Sequence, residues 1–373
     1  MKRVFQFFSI ALLVLCGQTA HAQFLQALAS FGGGDGWLAP SEFAVTPGAD
    51  LMRGMTYHAP SNRLIVVDRT GGINVRLLDG NTGASVGALV SNNVSGGQFA
   101  ANMVSVADDG HVYMGNLSVS TTQNFKIYRW DSSEVSNPTS APTIAFDGAS
   151  GRTRTGDSFA VTGSGANTRI VSAGGSNAGQ HFAHFTTGDG LSYSPTNPSV
   201  TGLVGAGHFR LGLDFDDAGN VIGSQTGAGT TFYRAPELGG AAATSAKQNI
   251  SEAPLAFYAP MSLLATVQVA GAPSPPATNP GDVGLINTVR LYDASDLNNL
   301  VLLDSKNLTN IATTNGNGVG SVSFGLGPDG GLRLYVLNTN NGIQAFRVVP
   351  EPSSGLLALA SGVGLIIRRR HRA

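Results

Sequence analysis

Charge is what this chain has least of. Only 12% of its 373 residues are Asp, Glu, Lys or Arg, about half the usual share of ~25%. The formal net charge is -1, which excludes the broad basic surface that draws a protein to nucleic acid or to an acidic membrane. Cysteine is almost absent as well. Cys16 is the only one and stands in the N-terminal apolar run, so the remainder has no disulfide framework, thiolate zinc site or cysteine nucleophile. Glycine takes the place of charge, with 50 residues, alongside much Ser, Thr and Asn. Gly and Asn serve tight turns rather than helix surfaces, while 42% hydrophobic content is enough to build a core. The composition predicts an all-β protein with many turns.

The two ends read as addresses. Lys2 and Arg3 precede a largely apolar run from Val4 to Leu15, and Ala20-His21-Ala22 places small residues where a signal peptidase reads them. This is the layout of a secretory signal peptide over residues 1–22, with cleavage before Gln23. At the other end Pro350-Glu351-Pro352 is followed by an apolar stretch to Ile367, then by Arg368, Arg369, Arg370 and Arg372. The prolines interrupt regular structure, the apolar stretch can enter a bilayer, and the arginines hold the end on the cytoplasmic side. Ser353 to Ile367 would form a helix of roughly 22 Å against a hydrocarbon core of about 30 Å. Such a short segment suits a transient inner-membrane anchor better than a permanent one.

Pro-Glu-Pro, an apolar stretch and a basic cluster, in that order, resemble the PEP-CTERM sorting domain over residues 350–373. The resemblance implies a Gram-negative bacterium that makes extracellular polysaccharide. It further implies recognition by an exosortase, cleavage near Pro350 to Pro352, and transfer to the cell surface or extracellular matrix.

Between these ends, residues 23–349 repeat themselves. A short pattern with an apolar first and an apolar or aromatic fourth residue recurs six times: Val75 to Asp79, Ile127 to Asp131, Phe182 to Thr186, Phe232 to Pro236, Val289 to Asp293 and Ile343 to Arg347. The spacing is about 50 to 57 residues, a period that belongs to propeller blades. Turn signals keep the same period ahead of an apolar strand: Ser61-Asn62, Asp108-Asp109-Gly110, Ala166-Asn167, Asp217-Ala218-Gly219 and Asp329-Gly330. Such residues supply the positive φ that tight hairpins need. The fifth copy lacks the signal and carries the Pro-rich stretch Gly271 to Pro280, which reads as a loop insertion. About four strands fit each unit; in the first they fall near Arg53 to Tyr57, Arg63 to Val67, Ile73 to Leu78 and Val86 to Val90. The prediction is a β-propeller of six four-stranded blades, flanked by the signal peptide and a short C-terminal hydrophobic helix. A β-sandwich would space its strands less evenly, and a β-helix would have a much shorter period. The sixth copy lacks a fourth strand of its own, and Glu42 to Val45 is the candidate to supply it.

Motifs for catalysis, cofactors and metals are weak. No nucleotide loop, zinc-protease helix or nucleophile elbow is present, and Gly163-Ser164-Gly165 falls at a blade turn. Asp214 to Asn220 looks like a calcium loop but has Ala218 and Gln225 at two ligand positions. His181 and His184 are three apart on a strand, which predicts opposite faces. Asp79, Asp131 and Asp293 recur as strand-ending turn residues. Arg76, Arg129, Arg234 and Arg290 do not share one column. No catalytic residue, cofactor or metal ligand is therefore assigned.

One column bears on function. Counting back from each hairpin by the same interval gives Arg53, Ala101, Ser158, Arg210 and Ser321, near the start of each innermost strand. Arg53 and Arg210, with Asn102, Asp157 and His208 beside them, are the candidate ligand-binding residues at the channel mouth. The reading is a non-enzymatic surface or matrix propeller with signal peptidase and exosortase as processing partners and extracellular polysaccharide as the candidate ligand. The alternative is a secreted propeller hydrolase or lyase acting on such a polymer.

Overall fold

Each recurring pattern becomes the third strand of its own repeat, in an antiparallel sheet that is four-stranded in the first five copies and five-stranded in the sixth: Asn74–Asp79, Phe125–Trp130, Gln180–Thr187, Thr231–Pro236, Thr288–Asp293 and Gly342–Val348. The computed structural model describes residues 24–43, 48–177, 180–202, 207–225, 230–248, 252–269, 288–308, 315 and 317–349. The segments read as signal peptide and sorting signal lie outside these residues, as does the Gly271 to Pro280 stretch. No helix among the described residues is long and apolar enough to cross a membrane.

The six sheets are the blades of a β-propeller. In the first blade, Met52–His58, Arg63–Asp68, Asn74–Asp79 and Ser85–Leu89 pair in sequence order, within about a residue of expectation. Met52–His58 and Arg63–Asp68 are almost wholly buried along their length, because a blade is covered on both faces by its neighbours. Apolar layers make those junctions. Ile65, Val67 and Leu77 of the first blade meet Met114, Tyr128 and Trp130 of the second. At the far end of the chain Tyr335, Leu337 and Ile343 meet Met55, Leu64 and Val66, closing the circle.

The innermost strands surround the axis: Met52–His58, Phe99–Val106, Ser158–Thr162, Gly212–Phe215, Glu252–Tyr258 and Gly320–Leu326. They approach one another so closely that glycine is required. A Cβ on Gly212 would lie 1.6 Å from the Ala253 carbonyl oxygen, and one on Gly54 would lie 2.6 Å from the Val104 nitrogen. Side chains tie adjacent inner strands together as well. The Ser158 hydroxyl donates to the Phe209 carbonyl and that of Ser321 to the Met55 carbonyl, each at 2.8 Å.

Three expectations change. The outer strand of the sixth blade is Leu25–Ala27, antiparallel to Gly342–Val348 with Leu25 opposite Val348. Trp37–Leu38 pairs farther along the same strand. Glu42 instead lies in the short 3-10 helix Pro40–Phe43, where its carboxylate accepts from the Ala39 N–H at 2.6 Å; Ala44 and Val45 lie outside the described residues. The fifth blade does have its hairpin turn. Ala259–Met261 and Ser262 repeat the geometry of Ala59–Ser61 and Asn62, with φ near 50° at both Ser262 and Asn62. Serine is a poor signal for that conformation, so the Tyr-Ala-Pro-Met-Ser turn does not announce itself. In the third blade the positive φ falls on Gly163 and Gly165 rather than Asn167.

Candidate functional site

An antiparallel blade brings the start of its first strand and the end of its second to the same end of the channel. In the first blade Met52 stands opposite Asp68, so Arg53 and the loop beginning at Arg69 share that end. Arg53 is 4% exposed and donates through Nε to Asn102 Oδ1 at 3.0 Å. Asn102 in turn donates to the Gly156 carbonyl at 2.6 Å, which links three blades in one chain of hydrogen bonds.

Asp157 is the acidic centre of the mouth. Arg210 reaches it from the loop ahead of Gly212–Phe215, with Nε 3.1 Å from Oδ2. Arg154 holds the same carboxylate through two bonds, at 2.5 Å and 2.7 Å. The carboxylate of Asp157 also acts electrostatically on Arg53, as do the charges of Arg154 and Arg210. Both arginines singled out in the sequence therefore face one electrostatic neighbourhood with Asn102 and Asp157. His208 packs its ring against Tyr233 at 4.1 Å and His181 at 5.9 Å between centroids.

Arg69, Arg152 and Arg154 add cations that repeat counting misses. Their loops differ between blades, so they occupy no shared column; the usable signal is that each follows or precedes a strand at the channel end. The Arg69 guanidinium carbon lies 3.6 Å from the centre of the Phe99 ring and that of Arg53 lies 5.5 Å from it, within range of a cation–π attraction. Arg69 Nη2 donates to the Asp50 carbonyl at 2.8 Å. Burial lowers the Arg53 pKa, and Asp157 then acts in the opposite direction. Burial, reinforced by the charge of Arg53, pushes Arg69 down to about 10. Burial alone brings Arg152 to about 10, while its bonds to Asp157 raise Arg154. All stay cationic at neutral pH.

Below the mouth the channel encloses about 390 Å³, walled by inner-strand residues such as Thr56, Ser105, Ser158, Ser321 and Ser323. Asp214 is a carboxylate in this wall. It accepts from the N–H groups of Phe215 and Phe257 at 2.9 and 2.8 Å, and burial nonetheless pushes it up to about 7. Asp216 turns into its own hairpin, where it accepts from the Ala218 and Asn220 N–H groups. The two histidines of the third blade depart from simple alternation. His181 stacks on His208, and His184 Nε2 lies 3.8 Å from Glu237, so both meet the fourth blade. The strand register shifts beside His181, with the extra residues between Ala173 and Asn177 on the partner strand. Among the described residues no group of three His, Cys, Asp or Glu side chains could hold a metal ion.

With the geometry in place, solved structures supply a comparison. A DUF4623 family protein from Bacteroides eggerthii matches over 81% of this chain and 72% of its own, at 17% identity and a TM-score of 0.52. The likeness is one of fold. A gluconolactonase from Xanthomonas campestris matches at 11% identity and a TM-score of 0.47, over 80% of this chain and 86% of its own. That similarity is too low to transfer chemistry. No protein-family model and no curated protein matches the chain.

Proposed function

We propose that the protein is an exported, non-enzymatic binding propeller of the cell surface or extracellular matrix of a Gram-negative bacterium. Its proposed ligand is an acidic polysaccharide, engaged at the arginine-rich mouth. The observation that carries the binding role is the gathering of Arg53, Arg69, Arg154 and Arg210 around Asp157 and Asp50. In a chain with only 22 Lys and Arg residues, four guanidiniums facing two carboxylates leave excess positive charge at the opening. The planar fork of arginine suits carboxylates and sulfates.

Binding of the mature protein to polygalacturonate tests this role. Replacing Arg53 and Arg210 together by alanine should weaken binding more than tenfold, with the circular dichroism spectrum unchanged. Saturable binding that the double variant retains in full, or none by the native protein, would overturn it.

Delivery rests on the resemblance of residues 350–373 to the PEP-CTERM domain, with Ala20, Ala22 and Gln23 marking the other processing site. Pro350, Glu351 and Pro352 all changed to alanine should leave the protein in the inner membrane with its tail attached. Fractionation that finds the variant at the surface in normal amount would refute the sorting role.

A further inference from the structure

The arginines of the mouth are not equivalent. Arg154 and Arg210 share the Asp157 carboxylate, so their charges are already answered within the protein. Arg53 and Arg69 face a different situation. Both lie against the Phe99 ring, and Arg69 feels the charge of Arg53 across a partly desolvated space. Arg53, 96% buried by its exposure of 4%, leaves Nη1 with no hydrogen-bond partner among the described residues. Arg69 leaves two buried nitrogens, Nε and Nη1, in the same condition. Buried donors are seldom left unpaired, and leaving charged ones so is costly.

The nearest acid does not supply the missing acceptor. Asp50 is oriented away by its own bonds, with Oδ1 accepting from Asn340 Nδ2 at 2.6 Å and Oδ2 from Asn317 Nδ2. What Arg69 takes from Asp50 is its backbone carbonyl. Two like charges with three unpartnered donor atoms beside one aromatic ring form a surface suited to an anion. Nε and Nη1 of a guanidinium point along different edges, so each can donate a charge-assisted hydrogen bond to its own oxygen.

We infer that Arg53 and Arg69 form an oxyanion-binding subsite beside Phe99, which takes the carboxylate or sulfate group of an acidic sugar. The inference rests on the binding role proposed above and names the pair that contacts the charged group. Arg69 Nη1 and Arg53 Nη1 each donate to an oxygen of that group, one from each side chain. The Phe99 ring holds the Arg69 guanidinium in place, so little side-chain freedom is lost on binding.

Calorimetric titration of the full secreted protein with D-glucuronate, inorganic sulfate and D-glucose is the test. Glucuronate, sulfate or both should bind, and glucose should not; which anion binds more tightly distinguishes a uronate from a sulfated ligand. Arg69→Gln should weaken anion binding at least tenfold. Arg69→Lys, which keeps the charge but not the planar guanidinium against Phe99, should recover no more than a small part of it. Arg53→Gln provides an independent variant should Arg69→Gln fail to fold. Unchanged anion binding in Arg69→Gln or Arg53→Gln, full recovery in Arg69→Lys, or equal binding of glucose would overturn the subsite. If polygalacturonate binds natively and the Arg69 variants bind it undiminished, the subsite fails and the polysaccharide role stands. If glucuronate binds through Arg69 while the polymer does not bind, the role fails and the subsite stands.

Discussion

Removing residues 24–38 should abolish the folded propeller rather than loosen one blade. This strap supplies the outer strand of the sixth blade, and Val349 donates to the Phe24 carbonyl at 2.8 Å at its edge. Leu25, Phe31 and Leu38 are all buried; Phe31 lies 6.0 Å from Tyr335 between ring centres, and the Leu25 N–H reaches across to Asp304 at 2.8 Å. Burying each such side chain contributes about 1.5 to 3 kcal/mol, so together the three approach the whole stability of a domain, roughly 5 to 15 kcal/mol. The deletion would also leave Gly342–Val348 as an open apolar edge, ready to pair with another chain. A chain beginning at residue 39 should lack a cooperative urea transition and sediment as aggregate. A melting temperature within about 2 °C of the intact protein, roughly 1 kcal/mol for a domain of this size, would show that the strap does not hold the ring.

Acidification from pH 7 to pH 4 should unfold the protein through its buried histidines. Burial pushes His58, His181 and His184 down to about 4. His58 sits between two hydroxyls, Ser61 Oγ at 2.6 Å from Nδ1 and Ser132 Oγ at 2.9 Å from Nε2, an arrangement that a neutral ring satisfies by donating once and accepting once. The unfolded chain takes up these protons near pH 6.5. Between pH 6.5 and 4 the unfolded state therefore binds more protons than the folded one, and stability falls with pH across that window. A depression of this size corresponds to about 3 kcal/mol per ring. Asp214 works in the opposite sense, because burial lifts it to about 7 and the folded state keeps its proton as pH falls. Three rings outweigh one carboxyl. The urea midpoint should fall steadily below pH 6.5, and His184→Gln should make the decline shallower. A midpoint that is flat or rises on acidification would contradict the assignment of neutral buried rings.

Much of the architecture was legible because it is local. The third strand of every blade stands where its apolar first and fourth residues recur, and Asn62, Gly110, Gly219 and Gly330 carry positive φ at the expected hairpins. The reading failed where local chemistry was silent. Ser262 adopts the conformation of Asn62 without being a typical turn residue, and Leu25–Ala27 is too short and plain to stand out as a strand. Its role depends on the unpaired edge of Gly342–Val348, more than three hundred positions away. Repeat counting reached Arg53 and Arg210 because both keep step with the hairpins, but not Arg69 or Arg154, whose loops keep step with nothing.

The order of residues was enough to establish β class, blade period and most hairpins, since each follows from side-chain alternation and backbone preference over a few residues. Ring closure and the division of the mouth into a neutralised pair and an unanswered pair came from the folded molecule. Asp157 engages Arg154 three residues away, and it engages Arg210 rather than Arg69 because blade packing sets the distances between loops far apart in the chain. Charge pairing falls off steeply with such distances, and the sequence contains no measure of them.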